Sequence, residues 1–341
     1  PLSGIRVLDL TRIVAGPYCT MILGDLGAEI LKIEKPESGD EARKWGPPFI
    51  QGTEEATYFL SVNRNKKSIC IDLKKGKAPH LIYCSLTGYG YKGPYANRPG
   101  YDMIAASIGG LLHITGSKNG PPCKVGIAVT DLATGLYAHG AILAALYQRM
   151  TTKKGQWIQC NLLATQVASL INIGSNYLNA NKEAVRWGSE HESIVPYEAF
   201  HTKDGYMTVG TGSDTQFLDL LKRMHLIELS KIDKYKNNKT RVENRDELLS
   251  ILRKKFETKT NKEWAIVFEG ASFPYGPINT IKQVFEDPHI NYMKMVQEME
   301  YSTGKKIKVI GPAVTYSYST NKVRCAPPVM GQHTTHLKQI I

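Results

Sequence analysis

Residues 4–34 read as strand, helix, strand, and this unit limits the fold more than any other stretch. Gly4-Ile5-Arg6-Val7-Leu8-Asp9-Leu10 is a short apolar strand. Thr11 to Pro17 turns, with Pro17 suited to the first turn of a helix. Cys19 to Leu26 continues with helical character, and Ala28-Glu29-Ile30-Leu31-Lys32-Ile33-Glu34 is a second strand with Lys32 inside its apolar run. Units of this kind build parallel, doubly wound sheets. No G-x-G-x-x-G follows the first strand, so the dinucleotide fingerprint is absent and NAD is not predicted. Ser68–Leu73 predicts a third strand and His80–Leu86 a fourth, with only Lys74 to Pro79 between them. A parallel crossover needs about a dozen residues, so this connection is too short for one. Leu132–Met150 predicts a long helix starting near Asp131, and Gln156–Leu162 a further strand.

After Trp187 the character changes. Tyr197–Val209 carries Lys203-Asp204-Gly205, a hairpin turn between two aromatic strands, and three helical stretches follow. The expected fold class is α/β: a large doubly wound, Rossmann-like domain over 1–185, a smaller α+β domain over 190–305, and a return to the large domain over 306–341. A length of 341 residues carries a soft prior of two domains. Apolar residues at 42% and charged residues at 22% exclude disordered and collagen-like chains. Runs such as Ala141–Leu146 fall short of the roughly 20 residues that span a bilayer, so no membrane partner is expected. The net charge is +12, but the lysines are scattered and no RNA-binding aromatic signature accompanies them. Nucleic acid is therefore not expected, while an anionic small molecule fits. Six cysteines form no C-x-x-C pair, which reads as free thiols and no metal site.

Asp131 is the first candidate for chemistry. It follows Val125-Gly126-Ile127-Ala128-Val129-Thr130 and opens the long helix, where an anion is stabilised. On the residues alone, an N-cap is the plainer reading.

Several segments, taken together, resemble the class III CoA-transferases, a family that includes formyl-CoA transferases, carnitine and bile-acid CoA-transferases and α-methylacyl-CoA racemases. They are Leu8-Asp9-Leu10-Thr11-Arg12 with Ala15-Gly16-Pro17; Gly24–Glu29; Lys32-Ile33-Glu34-Lys35-Pro36 into Gly39-Asp40; and Asn63–Ser68. They continue through Thr87-Gly88-Tyr89-Gly90, Arg98-Pro99-Gly100-Tyr101-Asp102, the Asp131 segment, Pro274–Ile278, and Pro327-Pro328 with Gly331-Gln332-His333-Thr334. One order of matches from residue 8 to 334 is specific where no single piece would be.

The resemblance implies that Asp131 is the nucleophile. Its carboxylate would attack an acyl-CoA thioester, pass through a mixed anhydride and an aspartyl-CoA thioester, and hand CoA to an acceptor acid. The thioester energy is retained, so the family needs neither ATP, a metal nor a permanently bound cofactor; the CoA thioester is a co-substrate. Backbone N–H groups near Val14 and Ala15 would hold the oxyanion. Lys35 matches a CoA-contacting position in formyl-CoA transferases, Trp45 an aromatic of the pocket, and Gly210-Thr211-Gly212 a glycine-rich loop over the acyl group. That loop also reads as a plain strand-to-helix turn. Racemases of the family carry a His thirty residues before the catalytic Asp, where this chain has Tyr101. A phenol with a pKa near 10 is a poor base, which favours transfer over epimerisation. His191 and Arg186 lie in a segment resembling a linker near the active site, and the Gly-Gln-His-Thr motif reads as structural.

Between Lys77 and Ala78 the chain lacks several dozen residues that the family carries, comprising a helix, a strand and a loop with CoA contacts. Within the family the segments most resemble members that move CoA from succinyl-CoA to free dicarboxylic acids such as glutarate or hydroxymethylglutarate, and that work in mitochondria. A cation would then hold the second carboxylate, with Arg12, Arg64 and Arg186 as candidates. The resemblance also implies an interlocked homodimer. The alternatives are an acyl-CoA racemase of the same fold, or a shortened CoA-binding chain with impaired catalysis.

Overall fold

The computed structural model describes residues 1–70, 80–302 and 304–335. The chain opens with β1 (Arg6–Asp9), α1 (Ala15–Asp25) and β2 (Glu29–Glu34). A short helix α2 (Thr57–Leu60) precedes β3 (Lys66–Cys70). Then come β4 (Tyr83–Thr87), α3 (Asp102–Ile108), α4 (Leu111–Ile114), α5 (Val129–Thr152), β5 (Trp157–Asn161), α6 (Leu162–Ala168) and α7 (Ile171–Ala180). The expected β-α-β unit is present, with α1 starting at Ala15 and Pro17 in its first turn. The turn into it is tight. A Cβ on Gly16 would sit 2.2 Å from the Thr11 Cβ, so only glycine lets Thr11 lie on the first helical turn.

β1, β2 and β3 form a parallel sheet with β2 central, in the register Val7↔Ile30 and Ile30↔Lys66. Ile30, Leu31, Lys32 and Glu34 of β2 are all buried, as a strand covered on both faces requires. β4 and β5 form a second parallel pair, with Leu86↔Cys160. Among the described residues the doubly wound sheet is thus two parallel pieces. Ile5 and Val7 from one, and Cys84, Leu86 and Cys160 from the other, press on one core built by Cys19, Leu23, Leu26, Ile30 and Ala138. The Lys77–Ala78 junction and the expected end of the third strand, Ile71–Leu73, lie outside the described residues.

α5 carries the core across this unit. At 24 residues it is long and apolar enough, by length and composition, to cross a membrane, contrary to the expectation from its short apolar runs. Here its small face, Thr134, Gly135 and Ala138, is buried. Gly135 meets Ala15, Tyr18 and Cys19 of α1, and Ala138, one turn further on, joins Cys19, Leu23 and Leu26. The two helices therefore run side by side in the same direction.

Two units divide the chain: residues 1–112, 124–183 and 287–341 form one, and 113–123 with 184–286 the other. The second contains β6 (Tyr197–His201), β7 (Tyr206–Gly210), α8 (Asp214–Arg223), α9 (Asn238–Glu243), α10 (Arg245–Phe256), α11 (Asn261–Phe268), β8 (Tyr275–Pro277) and α12 (Ile281–Glu286). Its three strands form an antiparallel sheet in the order β6-β7-β8, around a core that includes Phe200, Phe217, Phe256, Trp264 and Phe268. Trp187 is clasped between Lys118 and Arg245, which fastens residues 113–123 to this unit. The chain re-enters the first unit with α13 (Pro288–Tyr292) and the hairpin β9 (Val296–Glu300)–β10 (Lys306–Ile310). Residues 287–305, read from sequence with the smaller domain, thus pack in the first unit. Gly331-Gln332-His333-Thr334 lines β3: the His333 amide donates to Ser68 O, and Cys70 N–H donates to Thr334 Oγ1.

A Cβ on Gly135 would stand 2.8 Å from the Ala15 carbonyl oxygen, so the two helices must part to admit it. Gly135→Ala is expected to lower stability by about 1–3 kcal/mol, measured as a shifted midpoint in urea denaturation at unchanged m.

Candidate active site

Asp131 is in the first turn of α5 and only 8% exposed. It is not the N-cap. That position belongs to Ala128, which offers no side-chain acceptor. The orphan amides of the helix are instead satisfied by α3. Asp102 Oδ1 accepts from the N–H of Thr130 at 2.8 Å and of Asp131 at 3.1 Å. This arrangement places a second carboxylate beside the first. Burial, and then the neighbouring Asp102 charge, push the Asp131 carboxyl up to about 6. A carboxylate of that basicity is ionised at neutral pH yet more nucleophilic than an ordinary aspartate.

Asp131 and Gly135 are four residues apart and share one face of α5. Because Gly135 abuts Ala15, Asp131 faces the turn that leads into α1. The N–H groups of Val14 and Ala15 in that turn find no acceptor among the described residues. These amides at a helix N-terminus can receive an oxyanion. Tyr58 from α2 completes the near surroundings. Burial, and then the Asp131 and Asp102 carboxylates, raise its phenol. Trp45 packs edge-on against Tyr58, with ring centroids 5.5 Å apart, and is partly open to solvent.

The other expected site residues divide clearly. Tyr101 is 58% exposed, so it is not a core aromatic. It immediately precedes Asp102 at the start of α3. Lys35 is exposed just after β2. Gly210, Thr211 and Gly212 belong to the second unit, where Thr211 is buried with its N–H and hydroxyl on Pro196 O, and the Gly212 N–H donates to Gln216 Oε1. His191, in the same unit, stacks on Tyr197 and accepts from the Ser193 N–H. Arg186 donates to the carbonyls of Gly120 and His113. Arg64 is buried in a two-pronged pair with Asp25 at 3.0 and 2.6 Å, so it serves the core. Arg12 lies in the α1 turn, pairs with Glu41 at 2.5 Å and remains largely exposed. Asp102 and Tyr58 were missed by the sequence reading, although Asp102 ends one of the segments that carried the resemblance. Among the described residues no cluster of His, Cys, Asp and Glu is grouped to hold a metal.

A buried carboxylate in the first turn of a helix, on a parallel-sheet scaffold, is suited to acyl-group chemistry, and the comparisons show which family the chain falls in. The sequence model of "CoA-transferase family III" matches residues 2–78 and 75–334, and this chain belongs to that family. It is 50% identical to the human succinyl-CoA:glutarate CoA-transferase over 379 aligned positions, covering 100% of this chain and 86% of that protein. It is 34% identical to the succinate–glutarate CoA-transferase of Agrobacterium fabrum, with 98% and 94% covered. A crystal structure of a CAIB/BAIF family protein from Brucella suis superposes with a TM-score of 0.87 at 33% identity, over 100% of this chain and 99% of that one. The alignment with the human protein is longer than the 341 residues present here, and the two family spans meet at 75–78, inside the short strand connection.

With Asp131 near 6, kcat/KM for acyl transfer is expected to fall as pH drops through about 6 and the carboxylate takes a proton. Asp102→Asn keeps an oxygen for the two α5 amides but removes the like charge, so this acid limb is expected to move to lower pH in a pH–rate profile.

Proposed function

We propose that this protein transfers CoA from succinyl-CoA to a free dicarboxylic acid, glutarate or a close relative such as hydroxymethylglutarate, with Asp131 as nucleophile. The observation that carries this reading is the buried Asp131 carboxylate facing the unpaired amides of Val14 and Ala15. Asp131 attacks the succinyl thioester carbonyl, and the developing oxyanion is received by those two N–H groups. Collapse expels CoA thiolate and leaves a mixed succinyl–Asp131 anhydride. The thiolate then attacks the Asp131 carbonyl carbon, releasing succinate and forming an aspartyl-CoA thioester. Glutarate attacks that thioester, and the same two steps in reverse give glutaryl-CoA and free Asp131. Trp45 and Tyr101 line the approach, and Lys35 meets the CoA phosphates. No bound cofactor, metal, nucleic acid or membrane takes part.

Arg12 holds the second carboxylate of the acid. Of the three arginine candidates, Arg64 is buried against Asp25 and Arg186 is held by backbone carbonyls, whereas Arg12, paired with an exposed Glu41, stays largely open to solvent in the turn that carries Val14 and Ala15. A mitochondrial matrix location suits the net charge of +12.

The functional state is an interlocked homodimer. α5, α6 and α7 leave Leu136, Tyr137, Tyr147, Val167, Ile171 and Leu178 more than half exposed, and extensive apolar surface of this kind is normally covered by a partner. A second reading, CoA binding with impaired turnover, is favoured by one observation: the alignment with the human relative spans 379 positions, more than the residues of this chain, and the two family spans meet at 75–78.

Three outcomes are expected. Asp131→Ala should lower succinyl-CoA:glutarate exchange by on the order of 10⁴-fold in a coupled assay, whereas succinyl-CoA binding without turnover by the unmodified protein would favour the second reading. Arg12→Gln should cut the preference for glutarate over the monocarboxylate butyrate by about tenfold in kcat/KM. Light scattering at low protein concentration should give the mass of two chains.

A further inference from the structure

We propose that Asp40 is a positioning residue that holds the Val14 and Ala15 amides in place by pinning Ile13 in a left-handed backbone conformation. Ile13 has φ +70°, a region that a β-branched residue adopts only when its surroundings impose it. The Ile13 N–H donates to the Asp40 carboxylate, 3.0 Å from Oδ1 and 3.3 Å from Oδ2. Asp40 is itself almost fully buried and fixed. Its Oδ1 accepts from the Ala42 N–H at 3.0 Å, its own N–H donates to Glu34 Oε2 at 2.9 Å, and its Oδ2 pairs with Lys32 at 2.8 Å.

Lys32 is fully buried in the central strand, and its ammonium also donates to the Thr11 carbonyl at 2.9 Å. Asp9 fastens the start of the same turn by accepting from the Thr11 N–H at 3.0 Å and the Thr11 hydroxyl. Asp9 is held in turn by Lys66 at 3.0 Å and by the Thr20 hydroxyl at 2.7 Å. The turn over residues 9–13 is therefore held at Thr11 N, Thr11 O and Ile13 N by buried charges of β1, β2 and the segment after β2. Buried ion pairs of this kind contribute little net stability compared with well-packed apolar residues, which points to geometry as their contribution. Directly beyond the Ile13 N–H, the last fixed point, lie the Ile13–Val14 and Val14–Ala15 peptides, whose N–H groups must stand about 3 Å from a developing oxyanion.

This inference rests on the reading of Val14 and Ala15 as oxyanion donors, and its test separates the two. An interaction felt only by the transition state lowers kcat and leaves KM alone. Asp40→Ala is expected to reduce kcat by about 10²–10³-fold, as loss of an oxyanion donor does, with little change in KM for succinyl-CoA. Ile13→Gly added to Asp40→Ala should restore about tenfold in kcat, because glycine takes a positive φ without an imposed partner. Should Asp40→Ala fail to fold by circular dichroism, Asp40→Asn retains an oxygen for the Ile13 N–H; a loss of about tenfold in kcat, again recovered by Ile13→Gly, supports the proposal. Wild-type kcat in a folded Asp40 variant, or a loss that Ile13→Gly does not recover, overturns it while leaving Asp131 as nucleophile intact. Full activity in Asp131→Ala would instead remove the reading on which it rests.

Discussion

The contact between α1 and α5 at Gly135 is the constraint on which the site depends. Both helices run in the same direction, so both present their N-termini at one end of the first unit. One start contributes a carboxylate, Asp131, and the other contributes the unpaired amides of Val14 and Ala15. A residue larger than glycine at 135, or at 16 where Thr11 lies on the turn, would separate the groups that the proposed reaction brings together. The proposed chemistry therefore rests on two glycines that take no part in it.

The electrostatics arise from the same geometry. A helix start normally stabilises an anion and would make Asp131 a stronger acid. Asp102 occupies those amides first, so the dipole acts on Asp102, and Asp131 is left buried beside a like charge. Around Asp9 the balance runs the other way. Burial opposes its charge, but Lys66 and Lys32, with the hydroxyls of Thr11 and Thr20, hold its carboxyl well below the usual carboxylate range. One carboxylate is kept reactive and the other fixed as an anion by its surroundings.

Much of this was legible in the sequence, for local reasons. Strands β1 and β2 are apolar runs interrupted by a proline-bearing turn, and α5 is rich in Ala and Leu, so the β-α-β unit and the long helix stand out. The connection after β3 was too short for a parallel crossover, which marked a place where residues of the family are lacking, and the family spans meet there. Partners distant in sequence were not legible. Asp40 reaches Ile13 across 27 residues, Asp102 reaches Thr130 across 28, and Lys32 reads in sequence as a stray charge in a strand. Asp131 looked like an N-cap because nothing local shows that α5 begins before it and is capped from another helix. Likewise Arg64 and Arg12 were equivalent until a buried Asp25 was found against the first and an exposed Glu41 with solvent around the second. Strand β9, inside 190–305, was assigned by proximity in sequence to the smaller domain, whereas it pairs with β10 and its Met299 packs with Leu60 and Tyr301 in the first unit.

The central claim is that Asp131 becomes covalently activated during turnover. It is tested most directly by mixing the protein with succinyl-CoA in the absence of acceptor acid, quenching with hydroxylamine and mapping the modified peptide by mass spectrometry. The account predicts a hydroxamate on Asp131, formed from the anhydride or the aspartyl-CoA thioester, and absent when succinyl-CoA is omitted. Acyl exchange with Asp131 unmodified, or with the label on another residue, would contradict it.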